Sequence, residues 1–253
     1  QRLLRGRLTK DPLFQQSGGT VYDRDHIYYH GNSQGGTMGV LMTALSQDVL
    51  RTGLGEPGIG MGAILYRANN WRDLMPQIRG GYPNPIDFVV MQDLVPVGWI
   101  RTDGGTFGPR MTGNPLPNTP AHRVLLHAAL EDAQVNNDVT RVLVRTLDAK
   151  HLNPVTRNNF GIGSIDAPVS QGDVYVEFDY DLAPRKFTNA PVCPGDPDKP
   201  NEVPKCNGQT VTRDDPHNYP RAGELPQDQM WEFFETGVVK QVCSGVCKLP
   251  PPP

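Results

Sequence analysis

Ser33 sits in Gly31-Asn32-Ser33-Gln34-Gly35, with Gly36 directly after, between a short aromatic and apolar run, His26–His30 (HIYYH), and a stretch whose apolar residues recur at helical spacing, 37–50 (TMGVLMTALSQDVL). This G-x-S-x-G constrains the fold more than any other feature of the chain. A strand that turns sharply into a helix lifts the serine hydroxyl above the strand's C-terminal edge, and the turn strains the serine backbone so that flanking glycines are needed to avoid clashes. A buried strand feeding directly into a helix is the unit from which α/β proteins are built.

The rest of the chain reads consistently with that unit. Gly58–Leu65 (GIGMGAIL) is expected as a second strand, 123–129 (RVLLHAA) as a third and 174–180 (VYVEFDY) as a fourth, with helices over 138–147 and 227–239, the last preceded by Pro226. Residues 1–9 resemble the end of an amphipathic helix. The 25 prolines and 27 glycines imply long, turn-rich connections. The longest, about 66–121, carries Tyr66, Trp71, Tyr82, Phe88 and Trp99 and is expected to hold two short helices as a cap or lid, its aromatic residues suited to an acyl or aryl group. The expected fold class is α/β: a mainly parallel sheet with flanking helices, a single domain over 1–253, and a frayed Pro-rich tail at 248–253.

A serine hydroxyl is a weak nucleophile unless a base takes its proton and an acid holds that base in one tautomer. Asp132 follows the third strand in Leu130-Glu131-Asp132-Ala133, where such an acid is expected; Glu131 and Asp138 are the alternatives. Of six histidines, His217 alone lies after the last strand and before the last helix, within Asp214-Asp215-Pro216-His217-Asn218-Tyr219-Pro220. Asp214 or Asp215 is an alternative for tuning or orienting it, although a neighbour in sequence seldom reaches the ring nitrogen productively.

Taken together, YYHGNSQGGTMG resembles the nucleophile elbow of the α/β-hydrolase superfamily of serine esterases and lipases, ALEDAQV its acid loop and DDPHNYP its histidine loop. The resemblance runs from the strand before Ser33 to the last helix. It implies a Ser33-His217-Asp132 triad, with the backbone N–H of Gln34 forming half of an oxyanion hole, and hydrolysis of carboxylic esters through an acyl-enzyme. No cofactor and no metal are implied. The superfamily's first strands, and the loop that gives its second oxyanion donor, have no counterpart ahead of Gln1. The chain is therefore expected to be a C-terminal half whose partner is the missing N-terminal part of the same polypeptide. A peptidase of the same fold, and a non-catalytic binding module, stay open as alternatives.

The formal charge of −3, without a block of lysines or arginines, points away from nucleic acid and toward a small ester or acyl ligand. No apolar run is long enough for a membrane-spanning helix. Cys193 and Cys206 flank a Pro/Asp-rich loop and Cys243 and Cys247 bracket a short turn; local pairing of each couple is the simplest connectivity and implies secretion or an envelope or periplasmic location. Zinc at the cysteines and calcium at Asp196 and Asp198 are competing readings.

Overall fold

The computed structural model describes residues 2–71, 74–182, 205–206, 209–210 and 215–252. Its centre is a six-stranded sheet in which every pairing is parallel: β1 (Tyr29–Asn32), β2 (Arg51–Gly55), β3 (Arg123–Ala129), β4 (Lys150–Leu152), β5 (Ser164–Ile165) and β6 (Val174–Phe178). Across the sheet the order is β1-β2-β3-β6-β4-β5. The principal helices are α1 (Gln34–Leu45), α2 (Met61–Leu65), α3 (Met75–Gly81), α4 (Pro85–Leu94), α5 (Gly104–Met111), α6 (Asn137–Thr146) and α7 (Glu224–Thr236).

A parallel strand covered on both faces must be apolar on both, and β3 shows it. Val124, Leu126 and Ala128 join Val40 and Ala44 of α1 and Leu143 and Val144 of α6 in one core cluster. Leu125 and Ala129 point the other way, into a second cluster with Met230, Phe233 and Phe234 of α7 and Val174 and Phe178 of β6. The sheet is thus a middle layer with α1 and α6 on one face and α7 on the other.

Several expected boundaries move. The second strand is Arg51–Gly55, not 58–65, and the latter stretch contains instead a left-handed Gly60 (φ 85°) leading into α2. Arg51–Gly55 (RTGLG) lacks a strand-like composition for a packing reason. A Cβ on Gly53 would lie 2.2 Å from Met230 Sδ, so α7 seats directly on the backbone of β2 there. Two short strands, β4 and β5, were not anticipated. Among its described residues the 66–121 connection holds three α-helices rather than two short helices, and α4 has no buried residue. Residues 1–9 give one helical turn, Arg2–Arg5, and a 3-10 turn, Arg7–Lys10, neither with a buried residue. The tail is tied down at its start, because Leu249 N–H donates to Asp179 O at 2.8 Å.

Asp173, just before β6, is almost fully buried and fastens neighbouring strands: its Oδ1 accepts from Val124 N–H at 2.8 Å and its carbonyl from Lys150 N–H at 3.0 Å. Burial pushes its carboxyl up to about 6 from an ordinary 3.8. A raised carboxyl favours the folded state only while protonated. Its contribution is therefore complete below pH about 4 and is lost as pH rises through about 6. Asp173→Asn should remove this dependence. Urea titrations of the two proteins are expected to show their stability difference changing by up to about 3 kcal/mol between pH 4 and 7; parallel pH profiles would contradict the assignment.

Candidate active site

Ser33 caps the start of α1 with φ 60° and ψ −121°, and its hydroxyl makes no capping bond to the helix. The backbone is held there from both sides: Ser33 N–H donates to Gly55 O at 2.9 Å, and Ser33 O accepts from Thr37 N–H at 2.8 Å. The turn closes so tightly that a Cβ on Gly31 would lie 2.4 Å from Gly35 O, and Tyr29 Oη braces that same carbonyl at 2.7 Å. Gly36 is equally constrained, its Cβ position falling 2.3 Å from Gly55 O. Gly35 differs, since the nearest atom to its Cβ position is Tyr29 Oη at 3.8 Å. The second obligatory glycine of this elbow is therefore Gly36, not Gly35. Gly36→Ala is expected to cost about 1–3 kcal/mol through overpacking against backbone, whereas Gly35→Ala should be neutral or stabilising by up to about 1 kcal/mol. Denaturant midpoints of the two variants compare them directly.

Gln34 is the first residue of α1, a position whose N–H has no partner within the helix. The sheet topology then brings in the other loops. Asp132 follows β3 and has no exposed surface; its Oδ1 accepts from Gln134 N–H at 2.7 Å and Val135 N–H at 3.0 Å. Its Oδ2 accepts from His217 Nδ1 at 2.7 Å, a contact between residues 85 apart in the chain. Because a carboxylate only accepts, this bond puts the ring proton on Nδ1 and leaves a lone pair on Nε2. His217 Nε2 is buried and makes no hydrogen bond among the described residues, to Ser33 Oγ included.

Asp215 joins the acid and histidine loops. Its Oδ1 accepts from His217 N–H at 3.2 Å and Ala133 N–H at 3.1 Å, and its Oδ2 from Gln134 Nε2 at 3.1 Å. It orients His217 through the backbone rather than through the ring. Asp214 lies outside the described residues.

A cavity of about 440 Å³ opens beside the elbow, lined by Ser33 and Gln34, Ile64 and Leu65 of α2, Trp71, Trp99 and Val135. That volume lies within the range of small-molecule sites. Of the aromatic residues expected to meet a substrate, Trp71 and Trp99 do line it, while Tyr66 and Phe88 pack edge-on against each other with ring centres 6.2 Å apart. Asp103 fixes this wall: its carboxylate accepts from Gly60 N–H, Met61 N–H and Gly105 N–H, at 2.7 to 3.1 Å, clamping the starts of α2 and α5 together.

The alternative acid Asp138 faces solvent and pairs with Arg67 at 2.9 Å. The other histidines have separate duties. His122 Nδ1 bonds Val49 O at 2.6 Å, and His127, held near pKa 3 by burial, bonds Gln229 at 2.8 Å. Cys243 and Cys247 form a disulfide. Cys193, and with it the expected pairing to Cys206, falls outside the described residues, as do Asp196 and Asp198. Among the described residues no helix is long and apolar enough to cross a membrane.

Sequence reasoning missed Glu56, which follows β2 and lies against the acid loop with its two carboxyl oxygens 2.9 and 3.0 Å from Ala129 N. Its carboxyl is held well above the usual range, first by burial and then by the charge of Asp132. It belongs to no local motif, and nothing short of the fold brings it to Asp132.

Comparison with protein-family models, curated proteins and solved structures returned no match for this chain.

Proposed function

We propose that this chain is a serine hydrolase of α/β-hydrolase type that cleaves carboxylic esters, with Ser33 as nucleophile, His217 as base and Asp132 as the acid orienting it. The observation that carries the reading is the buried Asp132–His217 bond, which leaves a lone pair on an Nε2 with no partner among the described residues. Ser33's strained backbone and the apolar cavity beside it support the same reading.

In this chemistry His217 Nε2 takes the Ser33 Oγ proton as Oγ attacks the ester carbonyl, and the tetrahedral oxyanion is met by the N–H of Gln34. Collapse expels the alcohol, which receives the proton from His217. Water, activated by the same nitrogen, then attacks the acyl-enzyme; the carboxylic acid leaves and Ser33 recovers its proton. The disulfide suits an oxidising compartment, in keeping with secretion or an envelope location.

The missing Ser33 to His217 bond favours one rival, a non-catalytic binding module on the same scaffold. Apo enzymes often show such bonds long or unformed, so reactivity decides between the two. A fluorophosphonate probe should label the folded protein on the peptide containing Ser33 and fail to label the denatured chain. p-Nitrophenyl esters should be hydrolysed in parallel. A folded protein that takes no label and turns over no ester would overturn the hydrolase reading for this chain.

A further inference from the structure

Glu56 combines three properties: no exposed surface, a left-handed backbone (φ 48°), and a carboxyl that lies against the charge of another carboxyl, that of Asp132. It is aimed there from two strands. Its N–H donates to His127 O at 2.9 Å, and both side-chain oxygens face Ala129 N–H at the end of β3. Two carboxyls side by side without exposed surface do not both ionise, because burial and mutual repulsion each disfavour the second charge; one of them carries a proton.

The surroundings decide which one carries the proton. Asp132 accepts from Gln134 N–H, Val135 N–H and His217 Nδ1, all of which favour its charged form. Among the described residues Glu56 receives only Ala129 N–H. The titratable groups that act on Glu56 are the Asp132 and Asp215 carboxylates of the acid and histidine loops, with Tyr175 of β6 and Tyr180 beyond it, and His217 behind Asp132. Both phenols are pushed up by burial and remain neutral, so they do not oppose a proton on Glu56.

We propose that Glu56 is a positioning residue, kept as the neutral acid, which donates a hydrogen bond to Asp132 and so fixes the carboxylate that orients His217. This rests on the hydrolase reading above. Loss of the Glu56 proton places two negative carboxylates in contact, and Asp132 is then driven from its bond to His217. The structure thereby supplies an alkaline limit to activity that belongs to neither serine nor histidine.

Glu56→Gln and Glu56→Leu test it. Glutamine still donates to Asp132 and accepts from Ala129 but cannot ionise; leucine does neither. Three readouts apply to the full chain: kcat and KM for a p-nitrophenyl ester against pH, the His217 Nδ1 proton by NMR, and the infrared band of a protonated carboxyl. Glu56→Leu is expected to lower kcat by about 10–100-fold with KM little changed, and to shift or broaden the Nδ1 proton signal. Glu56→Gln should recover most of that loss, keep the signal, and lack the alkaline decline of wild type. The wild-type infrared band should vanish in Glu56→Gln. A leucine variant with wild-type pH profile and Nδ1 signal, or a glutamine variant no better than leucine, would overturn the proposal. Should leucine prevent folding, an unchanged infrared spectrum in Glu56→Gln at neutral pH overturns it equally. If wild type itself hydrolyses no ester, the hydrolase reading fails, while the NMR and infrared measurements still decide the protonation of Glu56.

Discussion

Ser33→Ala is expected to lower kcat for a p-nitrophenyl ester by about 10⁴–10⁶-fold and to abolish fluorophosphonate labelling, with the fold intact. The hydroxyl makes no capping bond to α1, so its removal deletes the proposed nucleophile without taking away a structural hydrogen bond to the helix. Ser33→Gly separates chemistry from strain. At φ 60° and ψ −121° any L side chain is unfavourable, and glycine relieves a cost of about 1–3 kcal/mol. The glycine variant should therefore be as inactive as the alanine variant yet more stable than wild type in urea. Stability unchanged or lowered in Ser33→Gly would mean that the elbow is unstrained. Residual activity in Ser33→Ala comparable to wild type would assign the chemistry elsewhere.

Asp132→Asn should be nearly as damaging, at about 10⁴-fold in kcat/KM, by a different route. The amide oxygen can still accept from Gln134 and Val135 N–H, so the acid loop keeps its turn. Its NH₂, however, faces His217 Nδ1 and donates to it. The imidazole must then carry its proton on Nε2, where it cannot accept the proton of Ser33. Fluorophosphonate labelling rates measured beside ester turnover give the check: both should fall together. A variant that labels at the wild-type rate would show that Asp132 does not set the tautomer.

How much of this was visible in the sequence depended on whether the governing contacts were local. β3 was legible because burial on both faces writes itself as a mostly apolar run, interrupted after Arg123 only by His127, and the elbow because its turn needs glycine within a few residues of Ser33. β2 was not, since Gly53 answers to Met230 of α7, far away in the chain. The tight position at Gly36 is likewise set by Gly55 of the neighbouring strand. β4 and β5, of three and two residues, are too short for any periodicity to mark. The order of elements sufficed to single out Asp132 and His217, and the fold brings them together. Glu56 was invisible, because its meaning lies in Asp132, far away in the sequence, and in the loss of water around it, neither of which a local pattern records.

The clamp at Asp103 has a consequence for how such a protein diversifies. Because one carboxylate gathers the backbone at Gly60, Met61 and Gly105, the chain leaves the scaffold and returns to it at nearly the same point. The excursion between them supplies Trp71 and Trp99 to the cavity wall and, among its described residues, no strand to the sheet. Such a closed detour can be lengthened, shortened or exchanged while the elbow and the loops of Asp132 and His217 stay where they are. Selectivity can thus be inherited separately from chemistry.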